Sequence, residues 1–180
     1  MKRAIVVPAP MPVAARTELK NWLAISGSAE DAFLESLLRA SAETCEAFTG
    51  TMVLQQTCEE LLRAEPGWQK LSAGPAQSID LLVGIPTTGS VFLVPADEYE
   101  FDIDADGTGR VRLTRPQSLS RAQVRYVAGL STAWDAVPEA LRQGIVRLAA
   151  HHYRERDQGG STPPASVAAL WRPWRRLRLT

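Results

Sequence analysis

The sequence predicts an α+β protein: a helical bundle of N-terminal helices and a returning long helix, interrupted by a β-rich insert and followed by a C-terminal helix and arm. Three observations carry that expectation. A helical apolar stripe occupies residues 17–50, a second runs through residues 138–158, and residues 51–129 change texture to short β-branched and apolar segments broken by Pro and Gly. With 180 residues and 45% hydrophobic content, the chain can bury a sizeable core as a single domain over residues 1–180.

The first helix is predicted from Thr17, which serves as its cap, through Leu19, Trp22 and Leu23 to a stop before Gly27. Ser28 with Asp31 approximates a capping box for the second, whose Phe33, Leu34, Leu37, Leu38, Ser41, Cys45 and Phe48 keep one apolar face until Gly50 supplies the C-cap. Within the insert, Ile79–Val83, Val91–Val94 and Gln123–Val127 read as strands. Tyr99, Phe101 and Ile103 alternate with Glu100, Asp102 and Asp104 before a turn over Ala105–Gly109. That turn sets Asp104 opposite Arg110 and Asp102 opposite Arg112, with Ile103 on Val111 and Phe101 on Leu113. Pro138 opens the third helix, with Leu141, Ile145, Leu148, Ala149 and His152 on its apolar face and Gly159-Gly160 as its terminator. Ser161 or Thr162, before Pro163 and Pro164, restarts a short helix through Leu170, after which Pro173 prevents simple continuation and the remainder of residues 163–180 is an arm.

Charge and cysteine content restrict the function classes. Twenty basic and twenty acidic residues cancel, which argues against coating nucleic acid or a membrane by bulk charge. Pro8, Pro10 and Pro12 cut the apolar run after Arg3 well short of a signal sequence, and no stretch approaches the roughly 20 apolar residues that span a bilayer. Cys45 and Cys58 form neither a disulfide framework nor a CxxC metal spacing, as expected of reduced thiols in a cytosolic setting.

Candidate chemical sites are sparse. Asp102, Asp104, Asp106 and Gly107 match the first half of a calcium loop, but Leu113 stands where its last acidic ligand belongs, so an arginine-paired acidic hairpin is expected instead. His151 and His152 point about 100° apart on a helix and cannot chelate one ion together. Glu59 and Glu60 face opposite sides of a strand and read as surface charges. No phosphate-cradling glycine loop, nucleophile elbow or HExxH is present, and no cofactor, metal or catalytic residue is expected.

The concentrated signal is Trp171, Arg172, Pro173, Trp174, Arg175, Arg176, Leu177, Arg178 and Leu179, without an acid after Asp157. Trp offers large apolar anchors and Arg offers forked donors, the composition of binding hot spots. A protein-docking arm is the preferred reading; a tail folded onto its own domain and binding to nucleic-acid phosphates are the alternatives.

Several stretches in order resemble the head–tail connector (adaptor) family of tailed bacteriophages, including the alphaproteobacterial gene transfer agents. They are the helix Glu30–Gly50 ending in Phe48-Thr49-Gly50, the Gln56-Thr57 strand, Tyr99-Glu100-Phe101-Asp102, and Val124-Arg125-Tyr126-Val127-Ala128-Gly129. Val137 to Ile145, His152 to Arg156 and the Ala165–Leu179 ending follow, so the resemblance spans most of Leu19–Leu179. Cys58 departs from it, because relatives often carry an aromatic there. The resemblance implies a non-enzymatic subunit in a ring, dodecameric like the portal protein above it, in the particle neck. It also implies a DNA channel without sequence-specific contacts, a platform for a stopper or tail-completion protein, portal attachment by the C-terminal segment, and assembly in the bacterial cytoplasm with no membrane. Asp102, Asp104 and Asp106 are then expected at a neighbour or stopper contact.

Overall fold

The computed structural model describes residues 3–115, 119–155 and 162–175. The chain divides into two compact units, one comprising residues up to Ala9 with Gln55–Leu130, the other Pro10–Leu54 with the residues from Ser131 on. The architecture is mixed α+β: antiparallel sheets occupy the first unit and four α-helices the second.

In the helical unit, α1 spans Val13–Leu23 and starts at Pro12 rather than Thr17. Pro12, whose φ is −65°, provides the cap position, while the Thr17 hydroxyl donates to the Val13 carbonyl at 3.0 Å inside the helix. The helix stops before Gly27, as expected, with Ala24 as its cap in left-handed conformation at φ 58°. Helix α2 (Asp31–Thr49) ends at Gly50 with φ 72°, a left-handed cap that glycine adopts at less cost than the alanine that ends α1. No side chain caps its start; Asp31 instead takes the Lys20 ammonium at 2.8 Å and Arg16 at 3.5 Å from α1. The hydrogen bond from Lys20 holds the Asp31 carboxyl below its ordinary range.

Helix α3 (Glu139–Arg154) follows Pro138 as expected and packs against α1, α2 and α4 (Ala165–Trp171). Leu34, Leu38 and Cys45 of α2 and Leu141, Ile145, Leu148 and Ala149 of α3 are buried at three- and four-residue spacing. Desolvation pushes the Cys45 thiol up to about 12. The Tyr153 hydroxyl donates to Glu30 at 2.6 Å, tying the end of α3 to the start of α2. Arg156 and the Gly159-Gly160 terminator lie outside the described residues.

The β unit contains a five-stranded sheet in the order β1-β2-β8-β4-β5. Strands β2 (Gln56–Arg63), β4 (Ala76–Pro86) and β8 (Leu119–Ala128) contain and extend the segments expected as strands, whereas β5 (Phe92–Leu93) is shorter than the expected Val91–Val94. Strand β1 (Arg3–Val7) was not expected; it pairs antiparallel with β2 and leaves Ile5, Val6 and Val7 exposed at the sheet edge. Central β8 buries Ala122, Val124, Tyr126 and Ala128 in strict alternation.

A second sheet, β3-β7-β6, joins β3 (Gln69–Lys70), β6 (Tyr99–Ile103) and β7 (Gly109–Leu113). Its hairpin register differs from the expected one by two residues: Asp102 lies opposite Arg110, Glu100 opposite Arg112 and Phe101 opposite Val111. The tighter turn causes the shift, with Asp104 N–H donating to the Thr108 carbonyl at 3.0 Å and Gly107 N–H to the Asp104 carbonyl at 2.8 Å.

Glu60 is also placed differently from expectation. It is only 8% exposed and accepts from the Ser72 N–H and hydroxyl, each at 2.9 Å, and from the Tyr126 hydroxyl at 3.1 Å. Its neighbour Glu59 faces the other side and pairs with Arg125. Strand alternation puts Glu60 inward with Cys58 and Leu62, and three donors make that burial tolerable.

Candidate interaction surfaces

The C-terminal segment is built from its helix outward. Pro164 starts α4, and Val167 and Trp171, four residues apart, both turn into the helical unit. Trp171 is 0% exposed; its ring meets Phe48 with centroids 5.9 Å apart and lies over Gly144 of α3. A Cβ on Gly144 would approach the indole Nε1 to 2.1 Å, so this glycine is the slot that admits the ring. The first residue of the expected arm is therefore a core residue. Burial has a cost, since the indole N–H has no hydrogen-bond partner among the described residues.

The α-helix ends at Trp171, two residues before Pro173, in keeping with the expected stop, but the chain does not leave helical conformation there: Pro173 sits in a 3-10 helix, Arg172–Trp174, which follows α4 directly. Arg172 and Arg175 are exposed and Trp174 is half-buried. The Arg175 guanidinium lies 5.8 Å from the centre of the Phe48 ring, whose other neighbour is Trp171. Arg176, Leu177, Arg178 and Leu179 lie outside the described residues.

The acidic hairpin supplies a second candidate surface. Arg110 pairs with Asp104, diagonally rather than directly across, and Arg112 with Glu100 at 2.5 Å. Arg112 also lies 5.0 Å from the centre of the Trp68 ring. Asp106 accepts from the Thr108 N–H at 2.8 Å and from its hydroxyl at 3.0 Å, so it braces its own turn. Asp102 is exposed and has no ion pair among the described residues.

Among the described residues no three His, Cys, Asp or Glu side chains are grouped to hold a metal ion, and both thiols are buried. Burial, with the neighbouring His151, lowers the pKa of half-buried His152, whereas His151 contacts Glu155 at 3.1 Å. No helix among the described residues is long and apolar enough to cross a membrane.

No family model and no curated protein matches the sequence. Solved structures do. A chain from the neck of an empty GTA particle, computed with C6 symmetry, superposes with a TM-score of 0.81 at 24% identity, over 100% of this chain and 98% of its own. This is the fold of a GTA neck chain. A chain from the neck of a native GTA particle, computed with C12 symmetry, gives 0.79 at 24%, and one from the virion of a native gene transfer agent (GTA) particle gives 0.76 at 27%, with the same coverage of both chains. The likeness therefore takes in both units and the α4 ending.

Proposed function

We propose that the chain is a structural subunit of the neck of a gene transfer agent or tailed-phage particle, acting as its head–tail adaptor. The observation that carries this reading is the match over 100% of the chain to a GTA neck chain with a TM-score of 0.81. The ordered adaptor-like stretches of the sequence agree with it. Rotational symmetry in the matched necks supports a ring of copies, and a ring demands two different complementary faces on each protomer. Under this reading the chain needs no cofactor: the ring extends a DNA channel beneath the portal protein, contacts DNA without reading sequence, and offers a platform to a stopper or tail-completion protein.

Portal attachment is assigned to the C-terminal segment, with a division of labour inside it. Trp171 fastens α4 to its own unit, whereas Trp174, Arg172 and Arg175, with Arg176, Leu177, Arg178 and Leu179 after them, form the docking arm. A short fixed turn bearing arginines loses less entropy on binding than a free tail would. The test is capture of purified portal protein by the full chain and by a chain ending at Pro173, which keeps Trp171. Loss of capture with a thermal midpoint lowered by only a few degrees is expected, since Trp171 stays in place; equal capture would sink the arm. Binding to free duplex DNA that weakens steeply with salt would transfer the arginines to phosphate recognition.

A further inference from the structure

An open groove of about 500 Å³ in the helical unit is lined by Trp22 of α1, Arg147, His151 and Arg154 of α3, and Pro164 and Ser166 at the start of α4. Trp22 is 43% exposed, and the Arg147 guanidinium stands 5.2 Å from the centre of its ring. A guanidinium set against a ring face still keeps N–H donors for a carboxylate. The Arg147 Nε is buried without a hydrogen-bond partner, and neither Arg147 nor Arg154 has a carboxylate partner among the described residues. Glu155, the one acid on the rim among the described residues, is engaged by His151. Two arginines without carboxylates beside an exposed indole and a proline make a receptor for a short acidic segment with some apolar surface. Two cations beside a carboxylate, on a chain of zero net charge, suit a nucleic-acid backbone less well.

The chain carries a segment of matching charge. In the β6–β7 hairpin Arg110 is turned to Asp104, so Asp102 remains without an ion pair among the described residues, and Asp106 stands exposed at the turn. We propose that the groove receives the acidic hairpin of a second copy of this chain, with Asp102 against Arg147 and the turn around Asp106 toward Arg154. This rests on the reading of the chain as a ring subunit and names the junction. Donor and receiver are different surfaces on different units, so the contact is heterologous and each copy both gives and receives. Such a contact propagates from copy to copy and closes wherever the rotation allows.

The test compares the full chain with Arg147→Glu, Asp102→Arg and the double variant in sedimentation velocity at low salt, with thermal midpoints to verify folding. Each single variant is expected to weaken self-association about tenfold or more, and the double variant to restore it by exchanging the charges. Association indifferent to both single changes overturns the junction and leaves the ring reading standing. If the unmodified chain sediments as a monomer, the same variants are scored for ring formation on purified portal protein. Loss in the singles with recovery in the double supports the junction there, indifference overturns it, and absence of any ring on the portal removes the adaptor reading itself. A third probe is duplex DNA: an Arg147→Glu change that lowers DNA binding but not association assigns the groove to phosphate and overturns the proposal.

Discussion

The two units hold their charges differently. In the β unit Arg110, Arg112, Arg115 and Arg125 pair with Asp104, Glu100, Glu98 and Glu59, while Arg63, Lys70 and Arg121 have neither a carboxylate nor a ring beside them among the described residues. In the helical unit Arg16, Lys20, Arg39 and Arg142 are paired in the same way, but Arg147, Arg154, Arg172 and Arg175 have no carboxylate among the described residues. Three of those four lie over an aromatic ring or line the Trp22 groove. Exposed ion pairs contribute roughly 0–1 kcal/mol each, so the β unit's pairs stabilise little and act chiefly on strand pairing. The unpaired arginines of the helical unit make no ion pair within it among the described residues, which leaves their N–H donors available to partners. Stability there comes from packing, above all around Trp171.

That contrast can be broken most directly at Trp171. Trp171→Ala should cost about 3–5 kcal/mol, and Gly144→Ala, which drives a methyl into the same ring, about 1–3 kcal/mol. Both would be read as lowered midpoints in urea unfolding followed by a helix-sensitive signal, and a wild-type midpoint for Gly144→Ala would show that the slot can widen. The counterpart in the β unit is Tyr126→Phe. It removes a hydroxyl that accepts from the Ala73 N–H at 3.2 Å and donates to buried Glu60 at 3.1 Å. A loss of roughly 1–2 kcal/mol is expected, in the transition reported by the sheet.

The smallest effect is a pH dependence of the helical unit. Burial and His151 lower the folded-state pKa of His152 below its ordinary 6.5, so between the two values the unfolded chain binds more protons. Its contribution is complete above about pH 6.5 and declines as the pH falls through the folded value. His152→Gln should flatten the stability profile in that window, and an unaltered slope would assign the dependence to another group.

The helical frame was legible because buried positions recur at three- and four-residue spacing, as in Leu34, Leu38, Cys45 and in Leu141, Ile145, Leu148. The hairpin was legible only to parity. Moving its register by two residues keeps every side chain on the same face, so alternation cannot choose between the expected and the observed pairing; the turn hydrogen bonds choose. Strand β1 was missed because its pairing depends on β2, far along the chain, while the prolines after it dominate the local signal. Glu60 was recoverable, since alternation with Cys58 and Leu62 already points it inward. The four-residue spacing of Val167 and Trp171 likewise announced a buried ring, but the surrounding arginines and prolines outweighed it. The stacking of Arg147 on Trp22 had no sequence signal, because the two residues come from separate helices.

The slot at Gly144 bears on the fate of a shortened chain. Helices α1, α2 and α3, two of which wall the slot, all precede α4 in the chain. A chain cut before residue 171 would keep Phe48 and Gly144 and lack the ring that fills the space between them. An unfinished chain would thus be marked by exposed apolar surface, a feature that proteolysis can act on before the subunit competes for a place in a particle.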